Sequence, residues 1–301
     1  LRAIVRCYYN ESLTTKRILK MPELPEVETV KNGMAAVLNG ETVAAVDLYR
    51  PDLRVPFPEN LHDFMKGRRI TALKRRAKYI LMVLDDRNVF ILHLGMSGRV
   101  LLLGAGQEYE RQKHDHLILS TDSGVRMVYN DARRFGMVYF CHEDALDAHP
   151  AFATMGPEPL GNHFSGEVLY QALKKRKTPI KVALLDQKLV VGVGNIYASE
   201  ALYKARIRPT RRADSITKRE SDTLYSAIIA VLNAAIAAGG STLRDHRQAD
   251  GSLGYFQHNF AVYDRGGQAC PDCDCDVTMT SGIKKITQGS RSTYYCPGRQ
   301  V

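Results

Sequence analysis

Residues 43–141 consist of short apolar runs cut by polar turns, and that pattern stops near Pro150. Runs this short are too brief for helices that bury a face; they suit strands. They fall at 43–49, 79–84, 89–94, 116–120, 125–129 and 136–141, and Asp85-Asp86-Arg87-Asn88 is a turn joining two of them. Many short strands with polar turns predict a β-sandwich. A helix precedes them. Pro25 suits its first turn, Glu26 and Glu28 favour the N-terminal end of its dipole, and Val27, Val30, Met34, Val37 and Leu38 make one apolar stripe. Gly40 closes it. Beyond Pro150 the texture is helical, at 167–175, 196–205 and 218–238. The last helix begins with a capping box from Thr217 to Glu220 and ends at Gly239-Gly240. A loop rich in Gly, Asp, Gln and His follows over 239–260, then a small Cys-rich module. The expected class is multidomain α+β, divided as 1–20, 21–150, 151–260 and 261–301.

The formal charge of +10 and a pI of about 9.3 favour a polyanionic partner. Residues 1–20 carry five Lys/Arg and one acid, so +4 of that charge belongs to them and +6 to the rest. This segment starts with Leu1 and has neither the apolar core nor the cleavage site of a secretory signal. A mitochondrial-type presequence fits its composition; the expectation is translated upstream sequence that the mature protein lacks. No apolar run approaches the ~20 residues of a membrane span. The longest, 227–238, is broken by Asn233 and reads as a buried helix. Four of six cysteines crowd the C-terminus, which predicts a reducing compartment and one local metal site rather than a disulfide framework.

Several short motifs carry chemistry. Lys78 follows Arg75-Arg76-Ala77, and two neighbouring guanidiniums would depress its pKa. His93-Leu94-Gly95-Met96-Ser97-Gly98 is a glycine-flanked tip whose Met96 could wedge into a base stack. Asp131-Ala132-Arg133-Arg134-Phe135-Gly136 suits a loop that inserts Arg133 and Phe135 into DNA. In Lys113-His114-Asp115-His116 the two histidines are read as facing opposite ways, which leaves His114 for a phosphate rather than a shared metal. Lys177 lies in Lys177-Thr178-Pro179-Ile180-Lys181. Val191-Gly192-Val193-Gly194-Asn195 puts glycines and Asn195 at a helix N-terminus, where exposed N–H groups would bind phosphate. The G-x-G-x-x-G spacing of a nucleotide fingerprint is absent, so no nucleotide cofactor is expected.

Together with Met21-Pro22-Glu23-Leu24-Pro25-Glu26, Gly156-Pro157-Glu158-Pro159-Leu160 and the run 189–200, these motifs resemble the bacterial formamidopyrimidine-DNA glycosylase family. The resemblance covers Met21 to the C-terminus. It implies an N-terminal β-sandwich with flanking helices, a helix–two-turn–helix domain and a C-terminal β-hairpin zinc finger. It also implies a monomeric cytoplasmic repair enzyme that binds damaged double-stranded DNA, excises oxidised purines and cuts the strand by β,δ-elimination. Pro22 would form a Schiff base with the sugar, Glu23 would be general acid/base, and Glu26 would support that end. Lys78 and Arg291 would assist the eliminations. Met96, Arg133 and Phe135 would fill the gap left by a flipped base; His114, Lys177 and Asn195 would hold phosphates. The loop around 239–258 would close over the base.

Three departures from the family pattern stand out. Cys270-Pro271-Asp272-Cys273 opens the finger and Cys296 closes it, but Arg299 occupies the usual fourth ligand position. A structural Zn2+ needs four ligands, and Cys275 is expected to supply the missing one, with Asp272, Asp274 and Asp276 as alternatives. Pro22 lies inside the chain, where its nitrogen is an amide. Ala132 stands where proline is common, which should loosen that loop. Two other functions are consistent with these departures: a non-catalytic lesion-binding paralogue, and an endonuclease VIII-like enzyme for oxidised pyrimidines. Leu24, where that branch has glycine, favours the purine enzyme.

Overall fold

The computed structural model describes residues 22–241 and 254–301. Helix α1 (Leu24–Leu38) comes first, with Leu24, Val27, Val30, Met34 and Leu38 buried along one face. Gly40 follows it at φ +88° and donates its N–H to the Ile70 carbonyl. Eight strands and a short helix follow: β1 (Val43–Leu48), α2 (Leu61–Met65), β2 (Ile70–Arg76), β3 (Tyr79–Leu84), β4 (Asn88–His93), β5 (Gly98–Leu103), β6 (Asp115–Thr121), β7 (Arg126–Asp131) and β8 (Met137–His142). They form two antiparallel sheets, ordered β1-β6-β7-β5 and β2-β3-β4-β8. Their inner faces share one core with α1, containing Ile80, Met82, Phe90, Leu92, Leu117, Leu119, Met127 and Tyr129. The expected sandwich is present.

All six residues of β3 are buried, so its sequence shows no alternation. Ile80, Met82 and Leu84 enter the inter-sheet core, while Tyr79, Leu81 and Val83 pack under Phe152 and the chain after β8. Covering both faces removes the polar half of the pattern. Strands β2 and β5 and helix α2 were not expected. Strand β2 is half polar, and β5 begins directly after the tip at Gly95–Ser97, so neither shows a bounded apolar run.

The second half is helical, with α3 (Gly166–Lys174), α5 (Asn195–Lys204) and α6 (Lys218–Ala237) where expected and a short helix α4 (Ile180–Leu184) that was not. The capping box joins Thr217 and Glu220. A one-turn helix α7 (Val277–Thr280) and the hairpin β9 (Lys284–Gln288) and β10 (Arg291–Tyr295) complete the chain. The C-terminal hairpin does not stand apart. Cys270, Ile283, Tyr294 and Cys296 are buried in the same cluster as Tyr197, Leu202, Leu232 and Leu24. Leu24 joins this second core while the rest of α1 faces the sandwich, so α1 joins the two halves. The expected lesion-capping loop lies mostly at 242–253, outside the described residues.

Candidate active site

The N-terminus of α1 meets the N-terminus of α5, and an acid lies between them. Glu23, 5% exposed, accepts hydrogen bonds from the backbone N–H of Ile196 (3.0 Å) and Tyr197 (3.4 Å). The acceptor at this helix end is therefore an internal carboxyl group. The expectation of N–H groups open to phosphate is corrected: the partial positive charge of a helix N-terminus is satisfied by the nearest carboxylate. Gly194 permits the approach, since a Cβ there would lie 2.2 Å from the Glu23 carboxyl carbon. Burial pushes the Glu23 carboxyl above its ordinary range; Lys78 opposes this, Glu26 adds to it, and the two N–H bonds oppose it. Glu26, also buried, accepts from Glu23 N, Tyr197 Oη, and Ser241 N and Oγ.

Lys78, partly exposed in the turn between β2 and β3, is coupled to this acid pair. Its pKa is lowered, by burial first; Glu23 opposes the shift, Arg291 adds to it and Glu26 opposes it. The neighbouring arginines, expected to do this, do not. Arg75 is held by Glu28 and Glu158 at 2.7 Å each, and Glu158 also accepts from Ala77 N. Two carboxylates neutralise that guanidinium before its field reaches Lys78. Arg291 is exposed at the start of β10, near the hairpin tip, yet its charge reaches both Lys78 and Lys181.

Lys181 was not singled out from sequence. It is fully buried and donates to Asn195 Oδ1 (2.7 Å), Thr293 Oγ1 (2.8 Å) and the Ser292 carbonyl (3.0 Å). Burial lowers its pKa to about 7, with Glu23 opposing and Arg291 adding. Asn195 also donates to the Ser292 carbonyl (2.9 Å) and to Tyr263 Oη (3.3 Å). The side chain expected to hold phosphate is thus engaged inside the protein, fixing the strand that carries Arg291. Glu23, the acid of raised pKa directly after Pro22, is coupled to a lysine of lowered pKa, and that lysine to a surface arginine. Such a set moves protons beside a polyanion.

Known proteins match the chain along this whole arrangement. The formamidopyrimidine-DNA glycosylase N-terminal domain family matches residues 21–138, and its H2TH domain family matches 155–247. The formamidopyrimidine-DNA glycosylase of Rhodospirillum rubrum is 51% identical over 280 residues, 93% of this chain and 100% of that protein. The chain belongs to the formamidopyrimidine-DNA glycosylase family. It is therefore a DNA glycosylase of base-excision repair. The enzyme of the same name from Paracoccus denitrificans is 50% identical over 92% of this chain and 99% of that one. Among solved structures, Lactococcus lactis Fpg in complex with DNA containing an abasic site aligns with a TM-score of 0.82 at 32% identity. That alignment covers 93% of this chain and 99% of the other. A mutant of the Lactococcus protein with Fapy-dG DNA gives 0.83 at the same identity and coverage.

The other residues expected of a family member lie in the turns and loops between elements. Met96, half-buried, is in the turn between β4 and β5. Arg133 and Phe135 are in the turn between β7 and β8, the guanidinium 4.5 Å over the ring, and Phe135 is 39% exposed. His114 precedes β6, half-buried, and Lys177 is exposed before α4. The reading that set His114 and His116 on opposite faces is corrected. Residues two apart in a strand share a face, and the rings lie 6.4 Å apart. His116 is turned inward, with Nε2 2.8 Å from the Asp131 carbonyl.

Cys270, Cys273, Cys275 and Cys296 bring their sulfurs within 4.8 Å of one another. Cys273 adjoins both Cys270 and Cys275, and one sulfur cannot pair with two others, whereas a single ion takes all four. Arg299 turns away from the centre: it donates side chain to the Asp272 carbonyl, lies 4.8 Å over the Tyr203 ring, and offers its backbone N–H to Cys296 Sγ at 3.4 Å. Backbone N–H donation to sulfur and four converging thiols fit a metal ion. Among the described residues no helix is long and apolar enough to cross a membrane.

Proposed function

We propose that this chain, when it begins at Pro22, is a bifunctional glycosylase and AP lyase for oxidised purines in double-stranded DNA. What carries the reading is the buried acid Glu23, directly after Pro22 in the chain, with Lys78 acting on its carboxyl and Arg291 acting on Lys78. Free, the Pro22 nitrogen is a secondary amine with a lone pair. It bonds to C1′ of the damaged nucleoside as the glycosidic bond breaks and the base leaves with a proton. Glu23, whose raised pKa favours a carboxylic acid, gives and takes protons at the sugar. The resulting iminium acidifies C2′. Loss of that proton expels the 3′ phosphate, and a second elimination expels the 5′ phosphate, with Lys78 and Arg291 as the proton carriers and phosphate partners. The Lactococcus complexes contain abasic-site and Fapy-dG DNA, which supports this substrate class.

The base must leave the stack to reach Pro22, so Met96, Arg133 and Phe135 fill the gap behind it. His114 and Lys177 hold phosphates; Asn195 acts by fixing Ser292 next to Arg291. Cys270, Cys273, Cys275 and Cys296 hold one Zn2+, which gives the hairpin a structural anchor and takes no part in the chemistry.

Borohydride trapping on an 8-oxoguanine duplex tests the reading. Protein beginning at Pro22 is expected to form a covalent adduct, and protein carrying residues 1–21 to form none. A folded Pro22 protein that binds the duplex without trapping makes it a lesion binder. Trapping on oxidised pyrimidines in preference makes it the endonuclease VIII-like enzyme.

A further inference from the structure

Met96 comes from the turn between β4 and β5, and Arg133 and Phe135 from the turn between β7 and β8. One buried carboxylate ties the two turns together. Asp131 is fully buried at the end of β7. Its Oδ1 accepts from Ser97 Oγ, the hydroxyl next to Met96, and from Arg133 N at 3.3 Å. Its Oδ2 accepts from Gly136 N at 2.8 Å and Tyr129 Oη at 3.3 Å. Ser97 Oγ in turn accepts from Arg133 N at 3.0 Å. The Asp131 backbone is held as well: its N–H donates to the His114 carbonyl at 3.0 Å and its carbonyl meets His116 Nε2 at 2.8 Å. The turns also touch directly. Gly95, at φ +66°, lies so close to Phe135 that a Cβ would sit 2.4 Å from the Phe135 carbonyl carbon.

We propose that Asp131 is a positioning residue that locks the Met96 turn and the Arg133–Phe135 turn into one rigid wedge. The inference rests on the wedge role proposed above. Four donors surround the carboxylate, and a carboxylate offers acceptors only. Asparagine would turn an N–H2 toward at least one N–H or O–H, breaking one side of the latch. Ala132 gives the turn no proline stiffness, so its shape depends on these bonds. Unstacking a base step is costly, and a wedge that yields transmits less of its docking energy into the stack.

The test compares Asp131→Asn, Ser97→Ala and Phe135→Ala in protein beginning at Pro22. Stacking is read from 2-aminopurine fluorescence beside the lesion. Single-turnover excision of 8-oxoguanine and borohydride trapping on a preformed abasic site are measured alongside. Phe135→Ala and Asp131→Asn are each expected to slow excision about tenfold and to lower the fluorescence rise, with abasic-site trapping within about twofold of wild type. Ser97→Ala, which removes one bond and folds readily, should fall between. The Asp131→Asn/Phe135→Ala pair should be no slower than the worse single variant, because residues that act as a unit are non-additive. If Phe135→Ala behaves as wild type, the wedge reading fails and the latch with it. If Phe135→Ala is impaired but Asp131→Asn and Ser97→Ala are not, the latch alone is overturned. Equal loss of excision and abasic-site trapping in Asp131→Asn and Ser97→Ala also overturns it, since that marks general damage to the fold.

Discussion

His93 shows how a single side chain at this site depends on its protonation state. Its Nδ1 accepts the Gly95 N–H at 3.0 Å, which only the unprotonated nitrogen can do, and its ring packs against Tyr79. Burial, with Lys78 and Arg54 adding and Asp131 opposing, lowers its pKa to about 4. The unfolded histidine titrates near ~6.5. Between those values the unfolded state binds more protons, so stability rises with pH there and falls as pH drops from about 6.5 to about 4. His93→Asn keeps an acceptor for Gly95 and removes the titration. Melting temperatures measured from pH 7 to pH 4 should show a wild-type decline that exceeds the variant's; parallel curves would mean that His93 is not held neutral. Burial favours the neutral form of Glu23 as well, but for an acid that raises the pKa, which suits the proton-donor role proposed for it.

At the scale of elements, the C-terminal hairpin is positioned twice. Lys181 and Asn195 bind the backbone of Ser292, and Glu200 of α5 accepts three backbone N–H groups, from Ala261, Val262 and Tyr263. The cysteine centre closes the far end, and Arg299 pins it to Tyr203 of α5. If Cys275 is the fourth ligand, Cys275→Ser should lower bound zinc from about one equivalent toward zero. Arg299→Ala should keep the metal and weaken only the contact with α5. Metal analysis of the purified variants, with melting curves in chelator, checks both. Full zinc in Cys275→Ser would move the fourth ligand to one of the neighbouring aspartates.

Across the whole molecule, two cores meet at α1 and at the Glu28–Arg75–Glu158 bridge, and the candidate site lies along that seam. Residues on both sides of it, Lys78 and Lys177 among them, would contact one DNA backbone together with Arg291 and His114. Four phosphate contacts predict a loss of affinity on the order of 10²-fold between ~50 and ~200 mM salt. Titration of a labelled lesion duplex at several salt concentrations measures that slope. A flat response would remove the phosphate roles, whatever the chemistry at Pro22.

Periodicity and turn chemistry are local, so α1, α3, α5, α6 and six of the sandwich strands are legible from residues that neighbour one another along the chain. Motif order likewise marked Pro22, Glu23, Lys78 and Arg291 before any geometry. What lay hidden was pairing between distant segments. Strand β2 is recognisable only beside β3, and Lys181 only once β10 supplies acceptors for its ammonium. The same limit explains two of the three corrected expectations. Arg75 looked free to act on Lys78 until Glu28 and Glu158 arrived, and the α5 N-terminus looked open until α1 placed Glu23 against it. Sequence alone determined most of the elements and marked the candidate reactive groups. Tertiary structure decided which charges are neutralised and which remain to act, because electrostatic fields and desolvation depend on distance through space and not along the chain.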